Sequence, residues 1–355
     1  MFIIGILVVF GVVILIHEYG HFWVAKKLGV RVEKFSLGFG PKIFSWKRNE
    51  TEYLISLIPF GGYVKMAGED AIEAKSPDEY AALPPGKRAL IVASGAIHNI
   101  LIAYFFLVPA LMLGISRYDG TVIGSVQKGF PAEIAGIKEG DRVISVNGQV
   151  CKEWFDVVKS ITEQANIAPE KPVIVKIQRD SQILEIPVVA KLMEKDRSMF
   201  KGKKRYVIGI APKEVIASYN FFGAIGEAGK EYARMFRVIL ISFKLLFTRQ
   251  VSFQELSGPV GISRMTIEVI KAGIASFLYF IAFINVNLGI VNLFPFFVLD
   301  GGHLVGLLGE KILRRKPHKK LLEIGQFAGI IFLLVMIVLV TFNDIVRILT
   351  EKISK

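Results

Sequence analysis

Residues 1–24, MFIIGILVVFGVVILIHEYGHFWV, decide how the rest of the chain is read. The segment is apolar on every side except at His17, Glu18 and His21. It exceeds the roughly 20 residues that a helix needs to cross a bilayer. It has no basic start, and no small-residue cleavage site follows it, so it is expected to stay on the chain rather than leave as a signal peptide. Three later runs have the same character: Ala89–Ile115, Phe277–Phe297 with Asn285, Asn287 and Asn292 inside it, and Phe327–Thr341 preceded by Ile324-Gly325-Gln326. The expectation is a polytopic α-helical membrane protein with four spans, at about 1–25, 89–115, 277–297 and 324–342. Met235–Phe247 is too short and too charged for a fifth, with Arg237 and Lys244 inside and Arg234 and Arg249 beside it. It reads as a helix lying in the interface, within a stretch of membrane-surface amphipathic helices from 214 to 276.

Composition agrees. The chain has 355 residues, 52% of them hydrophobic, and a mean hydropathy of +0.49. Those values argue against a purely soluble globular protein and rule out a disordered chain, a collagen and a disulfide scaffold. Cys151 is the single cysteine, so an intrachain disulfide and a multi-cysteine metal site are excluded. Metal chemistry must draw on carboxylates and on His17, His21, His98, His303 and His318.

The net charge is 44 − 31 = +13. Its basic residues concentrate between the first two spans (Lys26 to Arg88) and between the last two (Lys311 to Lys320), whereas the tail holds only Arg347, Lys352 and Lys355. By the positive-inside rule both basic segments are cytoplasmic. Both termini and the long segment between spans two and three are then extracytoplasmic. The charge is topology signal and attraction to anionic lipid, and calls for no nucleic acid. Lys201–Arg205 (KGKKR) has no interleaved aromatics and reads as a solvated or headgroup-facing run.

The long segment carries its own fold signals. Thr121–Val126 reads as a strand, Pro131–Gly136 as a short helix entered at proline, and Val143–Val146 as a strand running into Asn147-Gly148, a tight hairpin turn. Trp154–Ile161 reads as a helix, and Val173–Ile177 and Ile183–Val189 as strands. The string GSVQKGFPAEIAGIKEGDRVISVNG resembles a bacterial PDZ domain. That resemblance implies one inserted extracytoplasmic α+β domain over 116–213, with its core at about 119–192. Such a domain accepts an extended peptide at a sheet edge, unless it serves only as a spacer.

His17-Glu18-Tyr19-Gly20-His21 is HExxH inside an apolar helix. Histidines at i and i+4 share a helix face and can bind one metal, and the glutamate beside the first can take a proton from water at an open coordination position. Each ionisable residue near the bilayer centre costs about 2.5–3.5 kcal/mol, so three together call for compensation. A metal supplies it; a polar seam between helices is the alternative. Tetrahedral zinc with an open position needs a third protein ligand, for which Asp300 is the best candidate. It lies in Asn292–His303, where Pro295 breaks the helix and Gly301-Gly302 loosen the chain. Irregular backbone at membrane depth is tolerated where it lines a protein cavity or water.

HExxH in the first span with N-x-x-P and L-D-G in a later one resembles the site-2 protease family of intramembrane zinc metalloproteases. VEKFSLGFGPKIF, IPFGGYVKMAGED, LSGPVGI and the single PDZ-like insert resemble its regulator-of-sigma-E-protease (RseP) branch. The resemblance implies His17, His21 and Asp300 as Zn2+ ligands, Glu18 as catalytic base and Asn292 as a substrate-binding or transition-state-orienting group. It implies a cytoplasmic or re-entrant β segment at 30–70, with Gly61, Gly62, Tyr63 and Val64 pairing with unwound substrate near Pro295. Its substrates would be single-span membrane proteins, such as an anti-sigma factor already cut by an upstream site-1 protease, or signal-peptide remnants. The active site would lie near the cytoplasmic face of a bacterial inner membrane.

Phe297 stands where the family often has a second proline, and Gly95-Ala96-Ile97-His98-Asn99 where it often reads G-P-x-x-N. His98 is expected to bond a neighbouring helix or snorkel, with a fourth-ligand or substrate-orienting role as the alternative, His303 to be an interfacial loop residue, and His318 to be uninvolved. A PDZ-bearing scaffold without catalysis is the alternative from another class, and the intact His17, Glu18, His21 and Asp300 weigh against it. A metal transporter would spread ionisable residues along several spans.

Overall fold

Four helices in the computed structural model are long and apolar enough to cross a membrane, at Leu7–Lys27, Pro85–Leu113, Ile274–Asn292 and Phe327–Thr350. The structure describes residues 2–69, 71, 73–192, 206–249, 258–314 and 319–353. In order, these form α1 (Phe2–Lys27), β1 (Val32–Arg48), β2 (Thr51–Met66), a 3-10 turn at Tyr80–Ala82, α2 (Pro85–Leu113), β3 (Ile115–Val126), α3 (Pro131–Ile134), β4 (Arg142–Val146) and β5 (Gln149–Val150). They continue with α4 (Trp154–Ile167), β6 (Val173–Arg179), β7 (Gln182–Val188), β8 (Lys191–Leu192), β9 (Tyr206–Val207), β10 (Ile210–Ala217), α5 (Phe221–Phe247), α6 (Pro259–Lys271), α7 (Ile274–Asn292), α8 (Asp300–Leu313) and α9 (Lys319–Ile353).

The ends of the third and fourth spans differ from the sequence reading by several residues. The third apolar run continues to Phe297, but helix α7 ends at Asn292. Pro295 has no N–H to continue the ladder and disfavours helix in the residue before it. The last apolar helix runs on to Thr350, past the expected 342, because the polar residues beyond Thr341 are spaced among Ile345, Val346 and Leu349. KGKKR, Arg315, Lys316 and His318 lie outside the described residues.

The chain forms two compact units, one containing Met1–Leu113, Tyr219–Ile241 and the region after Leu256, the other chiefly Gly114–Ser218. In the first, small residues let helices approach closely, as membrane interfaces favour. A Cβ at Gly20 of α1 would lie 2.5 Å from the Ser94 carbonyl of α2, and one at Gly289 of α7 would lie 2.8 Å from the Ala96 carbonyl. Arg88 at the start of α2 holds Glu310 of α8 at 2.5 Å, with both side chains nearly buried. Asp344 of α9 accepts the backbone N–H groups of Gly258 (3.0 Å) and Gly261 (2.7 Å), capping α6.

β1 and β2 curl so that the register doubles. Phe35 pairs with both Val64 and Tyr53, Ser36 with Tyr63 and Leu54, and Leu37 with Gly62 and Ile55. Residues 34–37 therefore lie centrally, and 62–66 form an edge whose other side has no strand partner among the described residues. Val32, Phe35, Val64 and Met66 bury this sheet against Ala25 of α1 and Ile91 of α2.

The second unit is a sheet in the order β10-β3-β4-β6-β7, with β5 beside β4. Trp154, Val157 and Ile161 of α4 close its core over Ile123, Val143, Val175 and Ile177. Asn147 (φ 46°) and Gly148 (φ 81°) both take the positive φ that a tight hairpin turn needs. Asp141, 1% exposed, accepts hydrogen bonds from Arg179 at 2.7 and 2.8 Å and from the Lys138 N–H at 2.8 Å. Burial opposes its ionisation, but these bonds prevail and hold its carboxyl below the usual range. A cavity of about 470 Å³ opens between α4 and the 206–211 segment, lined by Phe130, Trp154, Val157, Ile161 and Ile208.

Candidate metal centre

Helical spacing places His17 and His21 one turn apart on α1, with their Nε2 atoms 3.3 Å apart. Asp300, the first residue of α8, brings Oδ2 to 3.5 Å from each of those nitrogens. Asp300 Oδ2 is buried and meets no hydrogen-bond donor among the described residues. Three lone-pair atoms thus converge, and the Asp300 oxygen among them has no compensating donor among the described residues. Ligand atoms about 2.0–2.2 Å from a tetrahedral zinc lie about 3.3–3.5 Å from one another. The observed separations fit that ion without rearrangement.

The tautomer of His21 follows from its surroundings. Its Nδ1 lies 2.8 Å from the Ile91 carbonyl, which can only accept, so the proton is on Nδ1 and the Nε2 lone pair faces the cluster. No sequence signal marks a backbone carbonyl for this task; it depends on how α1 and α2 are set against each other. Gly95 fixes that setting, since a Cβ there would lie 2.2 Å from His21 Nε2. A side chain at position 95 would occupy the space the ligand set needs.

Asn292, the last residue of α7, is 8% exposed and places Nδ2 3.2 Å from His17 Nε2. Gly62 lies on the edge segment of β2, where an added Cβ would meet Glu18 Cγ at 2.9 Å and the Ser36 carbonyl at 2.8 Å. That edge passes directly over Glu18. Tyr63 stacks on Phe39 with ring centroids 6.2 Å apart. Val64 is buried at 8%, so its side chain belongs to the core and only its backbone faces the edge. Pro295 is exposed in the segment between α7 and α8.

That segment folds because of the glycines after Asp300. A Cβ on Gly301 would lie 2.2 Å from the Phe294 carbonyl, and one on Gly302 would lie 2.2 Å from the Phe296 carbonyl. The chain can double back onto the start of α8 only where side chains are missing.

His98 stays out of the cluster. Its Nδ1 lies 2.9 Å from Ser94 O on its own helix, and its ring meets Trp23 and Tyr19 of the neighbouring α1. His303, read as a loop residue, lies in the first turn of α8.

A profile of peptidase family M50 matches residues 5–336, and the chain belongs to that family. The regulator of sigma-W protease RasP of Bacillus subtilis (strain 168) is 29% identical over 426 residues, covering 97% of this chain and 98% of that one. A Clostridium acetobutylicum protein named as a candidate zinc metalloprotease is 33% identical over 340 residues, covering 95% of each chain. A solved PDZ domain of an SdrC-like protein from Listeria monocytogenes covers 27% of this chain and 90% of that one, at 20% identity and a TM-score of 0.22, too slight a likeness to bear on the fold. With its long apolar helices and convergent His-His-Asp cluster, the chain is a multi-pass membrane metalloprotease of this family.

Proposed function

We propose that His17, His21 and Asp300 hold a zinc ion and that the chain cleaves peptide bonds within or near the transmembrane segment of single-span membrane proteins. The observation that carries this reading is the triangle of Nε2, Nε2 and Oδ2 atoms at 3.3–3.5 Å, with Glu18 adjacent in the sequence. Other divalent ions suit an N₂O site, and zinc is preferred by the HExxH pattern. When bound, zinc would polarise the scissile carbonyl and make water acidic enough to attack near neutral pH.

The protein residues do the rest. Glu18 takes the proton of the attacking water and passes it to the leaving amine. With the His17 lone pair engaged, the Asn292 amide is released from that nitrogen and donates to the substrate oxygen as charge builds there. A helical substrate hides its amides in its own ladder and must unwind to react. The edge at residues 62–65, which has no strand on its outer side among the described residues, lies beside Glu18, and the unwound strand can be added there. We assign Gly61, Gly62, Tyr63 and Val64 to that role through their backbone, with Pro295 keeping the opposite wall non-helical. The β segment enters the membrane from the cytoplasmic side.

The 116–213 insert is a PDZ domain outside the membrane, as are both termini. Together with the surface helices it admits substrates already trimmed by a first protease. Anti-sigma factors and signal-peptide remnants are substrates of the right form, and the charge distribution puts the active site towards the cytoplasm.

The test is cleavage of a tagged, outwardly truncated single-span protein by the purified chain. Cutting within the span that stops with Glu18→Gln and with a chelator supports the reading. A chain that binds no metal and cuts nothing moves the scaffold alternative ahead.

A further inference from the structure

We propose that α9 is the seat of the Asp300-bearing loop: Phe297 and Val298 rest in two side-chain-free notches at Gly325 and Gly329, and this fit sets how tightly the site holds its metal. The proposal rests on the zinc reading above and concerns residues outside its ligand set.

Residues 293–299 connect the last residue of α7 to Asp300 and form no regular element. One side of this loop is fixed by its carbonyls passing over Gly301 and Gly302. Its other side meets α9 through three consecutive residues. Phe296 stacks on Phe332, with centroids 6.1 Å apart and planes at 16°. The Phe297 ring lies 2.8 Å from where a Cβ on Gly325 would be, and Val298 Cγ2 lies 2.3 Å from where a Cβ on Gly329 would be. Gly325 and Gly329 are four apart and share one helix face.

A glycine weakens a helix, so two of them facing one loop require a packing reason. In a bilayer that reason is close approach, because apolar side chains gain little from leaving lipid. Phe297 thereby gains a function that its sequence position does not show. A proline there would stiffen the loop through its own ring. Phe297 is held from outside instead, by the notch at Gly325.

The notches matter because Val298 is two residues from Asp300. Ligand groups must be held to within about 0.5 Å to act together. A methyl at position 329 needs about 1 Å more room than the 2.3 Å separation leaves before it reaches ordinary contact. The loop must shift or Val298 must turn out of its place. Either change loosens Asp300 against His17 and His21, which stand on a different helix.

The experiment measures zinc affinity of the full chain in detergent by chelator competition, alongside thermal unfolding of the metal-free protein. Gly329→Ala is expected to weaken zinc binding about tenfold with the metal-free melt unchanged. Adding Val298→Ala, which removes the clashing methyls, is expected to restore affinity to within about twofold. Ala328→Leu, on the exposed side of α9, is expected to leave it unaltered. If Gly329→Ala is recovered only as aggregate, Val298→Ala alone decides, since it empties the notch without a clash and is expected to weaken binding severalfold. Wild-type affinity in Gly329→Ala, or in Val298→Ala when that variant decides, overturns the proposal. So does loss that Val298→Ala fails to rescue. A wild-type chain that binds no zinc defeats the metal-site reading itself, a distinct result.

Discussion

The two halves of the candidate metal centre are built differently. His17 and His21 stand on consecutive turns of one long helix, pressed against α2 at Gly20 and Gly95. Asp300 stands at the end of an irregular loop, held by carbonyls crossing Gly301 and Gly302 and by side chains lying on α9. The histidine half gets its geometry from the helix repeat and needs only the right neighbour. The aspartate half gets its geometry from tertiary contacts far apart in sequence. A reaction that requires both must keep a rigid element and a folded-back loop in register.

The largest effect comes from changing chemistry while leaving both halves in place. Glu18→Gln is expected to retain the metal and to lower kcat by about 10²–10⁴, the usual contribution of a positioned general base. Metal analysis of the purified variant beside single-turnover cleavage checks both parts. Asn292→Ala touches the junction of the halves, at the end of α7. It is expected to lower kcat by about 10²–10³ with KM nearly constant, as when an oxyanion donor is removed.

Gly95→Ala breaks only the histidine half. Its Cβ would fall 2.2 Å from His21 Nε2, and α2 is too tightly packed to yield. Metal affinity is expected to fall about 10–100-fold, the range seen when the supports of a ligand are disturbed. Equal chelator sensitivity in variant and wild type would contradict this. Asp141→Asn in the second unit is the contrasting control. Its carboxyl is held below the usual value, so it stabilises above the unfolded pKa of about 4, and the gain disappears as pH falls through the folded pKa. The variant is expected to destabilise this unit by about 1.5–3 kcal/mol near neutral pH, with a flatter acid limb by hydrogen exchange. Metal content should not change.

The same contrast explains what could be read from the sequence. Histidines at i and i+4 in an apolar helix already specify a shared face, so His17 and His21 were legible as a pair. The four apolar helices were legible from length and hydropathy alone. Asn147-Gly148 and the alternation around it announced a hairpin. Asp300 was found by pattern, not by physics: nothing local indicates that a residue 283 positions after His17 comes within 3.5 Å of it. The break after α7 was legible in Pro295, although hydropathy alone, which continues to Phe297, does not place the helix end at Asn292. The Ile91 carbonyl, the doubled pairing of residues 34–37 and the role of Gly95 are products of packing, and a sequence read one segment at a time does not contain them.

The proposed centre requires the three donors to share one ion. X-ray absorption at the zinc edge of the Glu18→Gln chain, compared with the same chain carrying Asp300→Ala, tests that most directly. Four-coordinate zinc with two imidazoles and oxygen donors at about 2.0–2.2 Å is expected in the first, and loss of zinc or replacement of the carboxylate in the second. Zinc without imidazole scattering, or an unchanged spectrum after Asp300→Ala, would contradict it.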